Sequence, residues 1–329
     1  MNRSISLKKK FSIINFLTEI KNSDLAMEIY LGLIARHKYI SPKFFYDERG
    51  SILFEKITSL KEYYPTRYEK RLLKDNLKAL EIDFNNLDII ELGSGDASKI
   101  SLIFEQLSSK VRQSINYFPV DISVSAIEHS IEMLLRFNLK NITGIALDFT
   151  KQLSKIPANR KRLFCFFGST IGNYSPSERF IFIKNLSKQM KKGDELLIGM
   201  DMVKDKKYLE AAYNDSLRIT EMFNKNILNV INKITEADFP RDNFQHKAFY
   251  NEDEQRIEMH LIAKNKLSVN LNKFSKKISI DKGESIHTEN SYKFRFKDIS
   301  DLGEQAGLSI HNIISDQNQW YSLIHYVKK

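Results

Sequence analysis

Glu91, Asp121 and Asp148 are spaced as acids that could hold a ligand. Each closes a short, mostly apolar run: Leu87-Asp88-Ile89-Ile90, then Tyr117-Phe118-Pro119-Val120, then Gly144-Ile145-Ala146-Leu147. Runs of that length and make-up read as strands. After the first comes Gly93-Ser94-Gly95-Asp96-Ala97, a tight turn into a helical segment, the opening of a βαβ unit. Gly93 and Gly95 can take φ > 0 and, lacking side chains, let a ligand reach the backbone. The turn lacks the third glycine of the dinucleotide fingerprint, because Asp96-Ala97-Ser98 follows, and it lacks the lysine with Ser or Thr of a P-loop. A ligand without phosphates fits these departures.

The chemistry narrows further at the strand ends. Open α/β sheets bind ligands at the carboxyl edge of their strands. An acid after the second strand suits a ribose diol, since one carboxylate can accept from both hydroxyls. Acidic, carbonyl-lined surroundings favour a cationic sulfonium. S-adenosylmethionine, an adenosine carrying a sulfonium, meets all three conditions. The expected cofactor set is Glu91, Gly93, Ser94, Gly95, Lys99, Asp121, Asp148 and Phe149.

These residues require a particular frame. A fourth strand, Leu163-Phe164-Cys165-Phe166-Phe167, runs into Gly168-Ser169-Thr170-Ile171-Gly172-Asn173. Ser175-Pro176-Ser177-Glu178 then offers an N-cap serine, a proline at the first helical position and a glutamate at the third, a capping box. A fifth strand begins at Glu195. Strand and helix alternate five times, which implies a mostly parallel, doubly wound sheet. The tail supplies a helix over 299–306 and two strands, over 308–314 and 320–327, joined by an apparent hairpin around Asp316. That layout suits the α/β fold of a class I methyltransferase, a Rossmann-like sheet. Between 203 and 292 the alternation stops: two helices, a hairpin over 245–263 and further short strands follow. Residues 1–40 read as helices, because Phe11, Ile14, Leu17 and Ile20 recur every third position. The expected division is therefore a methyltransferase domain of 67–202 plus 293–329 and a second, α+β substrate-binding domain of 1–66 plus 203–292.

Composition removes several alternatives. The chain has 329 residues, 42% of them hydrophobic, enough for a large domain or two smaller ones. Its net charge is +10, but Lys and Arg are spread along the length without long blocks, as on a solvated surface, so no nucleic-acid partner is expected. The loop after the fourth strand also lacks the Asn/Asp-Pro-Pro-aromatic pattern of enzymes that methylate exocyclic base amines. The single cysteine, Cys165, lies in an apolar run and reads as a buried, inert thiol. The seven histidines show no metal spacing, so no metal is expected. No apolar run approaches the roughly 18 residues of a membrane span. Lys8-Lys9-Lys10 with the short apolar stretch after it only faintly suggests a signal peptide, because Glu19 follows at once. A cytoplasmic protein with no membrane partner is expected.

With these residues in place the chain resembles the L-histidine Nα-methyltransferase family, whose members make hercynine, the trimethylated betaine of histidine, on the route to ergothioneine. The resemblance runs from about Leu33 to Leu323. It is carried by Phe45-Tyr46-Asp47 with Gly50-Ser51, by Glu62-Tyr63-Tyr64-Pro65-Thr66-Arg67, by the Glu91 to Gly95 turn and by the Gly168 to Asn173 loop. Asp205 with Tyr213 and Asp215, Phe223-Asn224, Arg256-Ile257-Glu258-Met259 and Thr288-Glu289-Asn290-Ser291-Tyr292-Lys293-Phe294 extend it. It implies free L-histidine as substrate, S-adenosylmethionine as methyl donor and a monomer. Asn173, Tyr46, Tyr63 and Tyr213 match the family's amino-acid clamp, with Tyr46 and Asn173 nearest the chemistry and Gly168 beside them. Glu289 and Ser291 match the pair that reads the imidazole, and Met259 and Phe54 match apolar walls. An aromatic amino acid is the alternative substrate, but it would leave a buried Glu289 unpaired. His287, beside this segment, is expected at the surface.

Overall fold

The computed structural model describes residues 11–17 and 21–329. The expected signal-like lysines therefore lie outside the described residues. The five apolar runs form β2 (Asp88–Leu92), β3 (Asn116–Asp121), β4 (Asn141–Ala146), β5 (Arg162–Phe166) and β6 (Glu195–Asp201). Every residue of β2, β5 and β6 is buried, as in strands covered by helices on both faces. With β1 (Phe11–Asn15), β12 (Leu308–Ser315) and β13 (Tyr321–Lys328) they make one sheet in the order β1-β4-β3-β2-β5-β6-β13-β12. All neighbours are parallel except the terminal hairpin, in which β13 runs antiparallel to both β6 and β12. This is the Rossmann-like class I methyltransferase sheet, extended at one edge by β1. The strand order reverses between β2 and β5, and the crevice above that point is where such sheets hold a ligand.

β1 corrects the expectation of helices throughout 1–40 and of a second domain containing all of 1–66. Phe11 pairs with Ile142 and Asn15 with Ala146, so residues 11–15 belong to the large sheet. The branched Ile13 and Ile14 favour a pleated edge. Gly144 of β4 makes the room: a Cβ there would meet Ile127 Cγ2 at 2.3 Å and Ile13 Cγ1 at 3.2 Å. The helix of this region covers only Asn22–Ile34. The helix Tyr64–Asn76 also runs straight through the expected boundary at 66/67.

The capping box forms as its residues demand. Ser175 N–H donates to Glu178 Oε2 at 2.8 Å, and Glu178 N–H donates to Ser175 Oγ at 3.4 Å. Two hydrophobic layers flank the large sheet, one around Ile89, Phe104 and Tyr117, the other around Ile90, Phe164 and Ile183. A separate core joins residues from 29–64 to residues from 209–286, among them Phe45, Leu53, Phe223, Ile227, Met259 and Leu261. It is built on the helices Glu48–Thr58, Lys206–Tyr213 and Ile219–Thr235 and on an antiparallel sheet. That sheet is β11-β8-β7, with β7 at Phe244–Asn251, β8 at Arg256–Ala263 and β11 at Ser285–Tyr292. A small hairpin of β9 (Leu267–Leu271) and β10 (Lys276–Ile280) completes the lobe.

Candidate active site

The glycine turn sits at the switch point. Gly93 N–H donates to Val120 O at 2.7 Å, and φ is +75° at Gly93 and +49° at Gly95. A Cβ at either glycine would meet nothing within 4 Å, so the glycines serve backbone geometry and ligand approach, not internal packing. Asp121 bridges the turn, accepting from Ser123 N–H at 2.9 Å and Gly95 N–H at 3.3 Å. Burial raises its pKa from the ordinary carboxylate value. Asp148, at the next strand end, accepts from Thr150 N–H at 3.0 Å, and Phe149 packs edge-on against Phe166 at 5.7 Å. Ser94 Oγ is buried without a hydrogen-bond partner. An orphaned hydroxyl, an open glycine backbone and two rim acids fit a phosphate-free, cationic nucleoside.

Two expected cofactor residues have other employment. Glu91 is buried at 2% exposure, and its carboxyl accepts the Tyr117 hydroxyl inside the sheet. Burial pushes Glu91 up to about 8. It faces the layer below the crevice, not the ligand edge, because alternate strand residues face opposite ways. Lys99 forms an ion pair with Glu69 at 2.9 Å. Glu69 also accepts the Tyr321 hydroxyl at 2.7 Å and the Gly168 N–H at 2.9 Å. The Gly168 amide is thus committed to Glu69, and Gly168 contributes the left-handed turn, φ +79°, that aims the loop. Glu69 went unnoticed in the sequence; a lone glutamate within a polar helix carries no local mark of complete burial.

Of the expected substrate-side residues, Phe54, Tyr63, Tyr213, Met259 and Glu289 converge on one cavity. Phe54, Tyr63, Tyr213, Thr220, Phe223, Met259 and Glu289 line it. Tyr46 joins this wall, with its ring 5.7 Å from Phe54 and edge-on. Glu289 stands directly opposite Met259 in the β11–β8 register, and a bulge between His287 and Glu289 sets that register. The extra residue, Thr288, is buried and donates to Asn224 Oδ1 at 2.7 Å. Bulges re-aim side chains in this way. Asn173 closes the short turn Thr170–Asn173. That turn packs on the end of β11, where a Cβ at Gly172 would stand 2.8 Å from Tyr292 O. Asn173 and the Glu289 strand are therefore neighbours.

The electrostatics of the cavity follow from its dryness. Burial, reinforced by Glu289, holds the Tyr46 and Tyr213 phenols well above their ordinary range, and burial with Tyr213 and Glu289 does the same for Tyr63. All three remain neutral hydroxyls near pH 7, so they can position an amine without adding charge. Asp121 also raises Tyr46 electrostatically, by less than burial and Glu289 do. Burial raises Glu289 to about 8, and nearby Lys293 opposes the rise.

Beneath the cavity lies a network that sequence reasoning missed. Ser291 Oγ accepts from Tyr213 Oη at 2.7 Å and from Lys293 Nζ at 2.8 Å. Lys293 pairs with Asp201 at 2.8 Å, and Asp201 also accepts the Tyr64 hydroxyl at 2.7 Å and pairs with Lys204. The two lysines hold Asp201 below its ordinary carboxylate value against the effect of burial. Thr220 Oγ1, a lining hydroxyl that no sequence signal marked, is buried without a partner. His287, expected at the surface, is only half-exposed. Its ring stacks on His260 at 4.7 Å, and its Nε2 lies 2.9 Å from Glu289 O. Burial pushes His287 down to about 4. Glu258, His260 and His287 bring their ligand atoms within 4.8 Å of one another, a cluster hidden from sequence spacing because separate strands supply it. The two rings lie 16° from parallel, so their in-plane lone pairs run side by side and do not converge on an ion.

The model of the histidine-specific, S-adenosylmethionine-dependent methyltransferase family matches residues 25–328. The chain belongs to that family. It is an S-adenosylmethionine-dependent methyltransferase. It is similar to the histidine N-alpha-methyltransferase of Mycobacterium tuberculosis, with 38% identity over 88% of this chain and 89% of that one. The protein of the same name from Mycolicibacterium smegmatis shows 35% identity over 90% and 93%. Ergothioneine biosynthesis protein 1 of Schizosaccharomyces pombe shows 29% identity over 68% of this chain and 30% of its own length. Among the described residues, no helix is long and apolar enough to cross a membrane.

Proposed function

We infer that this methyltransferase carries three methyl groups from S-adenosylmethionine to the α-amino nitrogen of L-histidine, giving hercynine, the first step towards ergothioneine. The observation that carries this reading is a buried carboxylate, Glu289, set opposite Met259 in an aromatic cavity walled by Phe54, Tyr63, Tyr213 and Phe223. The donor supplies an electrophilic methyl: a nitrogen–carbon bond forms as the carbon–sulfur bond breaks, and S-adenosylhomocysteine leaves. What the chain supplies is alignment, the main source of rate in such a displacement. Gly93, Ser94, Gly95, Asp121, Asp148 and Phe149 hold the donor, with Lys99 and Glu91 supporting that edge from behind. Tyr46 and Asn173 hold the amine, and Tyr63 and Tyr213 complete the clamp on the amino acid. The phenols stay protonated, so they orient the lone pair and are not the base; each of the three transfers also releases one proton from the amine nitrogen, which passes to solvent. Glu289 and Ser291 read the ring, Phe54 and Met259 wall it, and Gly168 shapes the loop beside it.

The lobe built on the second core presents the amino acid, and the large sheet presents the donor. An aromatic amino acid would fit the same walls but would leave Glu289 without a partner in a dry cavity. Monomeric action in the cytoplasm, without nucleic acid or membrane, belongs to the same reading. The test is incubation of the purified protein with S-adenosylmethionine and a panel of free amino acids, followed by mass spectrometry. One, two and three methyl additions to histidine are expected. Methylation of another amino acid with histidine untouched would refute the assignment.

A further inference from the structure

The Ser291 hydroxyl has its acceptor capacity filled from inside the protein. A hydroxyl has two lone pairs and one proton. Tyr213 donates to one lone pair at 2.7 Å and Lys293 to the other at 2.8 Å. Lys293 has no acceptor capacity, so this bond cannot be reversed. Nor can Lys293 turn away, because its ammonium is fully buried and held by Asp201 at 2.8 Å. Tyr213 is fixed on its other side, where the Lys293 ammonium lies 5.2 Å from its ring centroid. The one bond left to Ser291 is donation of its own proton.

Glu289, two residues earlier on the same strand, has the opposite character: burial holds it protonated up to about 8, and the ionised form, which a ring N–H selects, can only accept. Resting on the histidine reading above, we propose that Lys293 is a positioning residue that makes Ser291 an obligate donor, so that the cavity takes the neutral imidazole in one tautomer and rejects imidazolium. The ring nitrogen facing Ser291 must carry a bare lone pair, and the nitrogen facing Glu289 must carry the proton. An imidazolium would set an N–H against the Ser291 O–H, with the Lys293 charge directly behind.

Other titrating groups face this place. Tyr63 and Tyr46 share the cavity wall, and Lys204 and Tyr64 hold Asp201 from the far side. His246 contacts the Tyr213 carbonyl oxygen at 2.9 Å, and His287 contacts that of Glu289. Their effects, with those of Glu289 and the substrate amine, are common to any amino acid placed in the cavity. A ratio of two substrates cancels them.

The experiment compares kcat/KM for L-histidine with that for β-(1,2,4-triazol-3-yl)-L-alanine from pH 5 to pH 8. The triazole ring offers the same pairing of one N–H and a bare nitrogen but takes no proton in this range. In the wild-type enzyme the histidine-to-triazole ratio should fall about tenfold per pH unit below about 6.5, following the neutral fraction of imidazole. Lys293→Met frees a lone pair on Ser291, which can then accept from imidazolium, and the ratio should become nearly independent of pH. Ser291→Ala should flatten it in the same way and serves where Lys293→Met does not fold. A flat ratio in the wild type, with both substrates turned over, overturns this proposal and leaves the histidine assignment standing. A slope unchanged in both variants also overturns it. Failure to methylate either substrate overturns the histidine reading itself, and this proposal with it.

Discussion

At the scale of single residues, Glu289 and Asp121 divide the labour between substrate and donor, and their variants should separate cleanly. Glu289 sits in a cavity dry enough to push its carboxyl up to about 8. A hydrogen bond to a charged group is worth about 1.5–3 kcal/mol. Glu289→Ala should therefore raise KM for histidine on the order of 10- to 100-fold, while KM for S-adenosylmethionine moves little. Asp121→Ala should do the reverse, because Asp121 organises the glycine turn through Gly95 and Ser123. Steady-state kinetics with each substrate varied in turn checks both, and parallel losses in both KM values would show that the two sites are not separable. The resemblance to a known family makes Tyr63, Tyr213, Met259 and Glu289 legible in the sequence. Glu69, Thr220, Asp201 and Lys293 were not legible, for a common reason. Each owes its role to burial beside a partner distant in sequence, and nothing in its neighbours along the chain records that.

At the scale of elements, period and capping made most of the frame legible. β2 to β6 lie within a few residues of their expected positions, and the Ser175–Glu178 box opens its helix as its spacing requires. The misreading of β1 has a physical cause: Phe11 and Ile13, two apart, share the half-buried face of an edge strand, while Ile14, three from Phe11, is exposed, so the three-residue spacing marked no helical face. The β11 bulge was equally invisible, since an added residue in one strand is defined only by its partner. Asp47 ties two walls of the cavity together. Asp47 caps the helix Glu48–Thr58, accepting from Gly50 N–H at 2.7 Å, and also accepts from Asn226 Nδ2 at 2.8 Å. That helix carries Phe54, while the Asn226 helix carries Phe223 and Thr220. Loss of an N-cap costs about 0.5–2 kcal/mol. Asp47→Ala should lower stability by that order and raise KM for histidine, with donor binding unaffected. Unchanged denaturation and unchanged KM would mean that this cap does not position the cavity wall.

At the scale of the whole molecule, the fold keeps two glutamates in dry surroundings, and this gives its stability a distinctive pH dependence. Glu91 and Glu289 are each raised from the ordinary carboxylate range to about 8. A carboxyl raised in the folded state binds its proton more tightly there than in the unfolded chain. Its contribution is complete below the unfolded pKa and is lost as pH climbs through the folded one. The half-buried histidines act at the other end: His246, His260 and His287 are lowered by burial, so their contribution is present above about 6.5 and lost below it. Lys204, lowered to about 8, favours the folded state only as pH rises above that value. Between pH 6.5 and pH 8 the two glutamates dominate, each worth at most about 1.4 kcal/mol per pH unit. The ligand-free protein should therefore melt at progressively lower temperature across this window, whereas ordinary exposed carboxylates, ionised in both states there, give no slope. Glu91→Gln keeps the hydrogen-bonding shape beside Tyr117 without the titration and should remove about half of the slope; Glu289→Gln should remove the rest. Calorimetry at several pH values with ligands absent decides the matter: a melting temperature that holds or rises from pH 6.5 to pH 8 in the wild type would mean that water reaches both carboxyls and that the cavity is not dry.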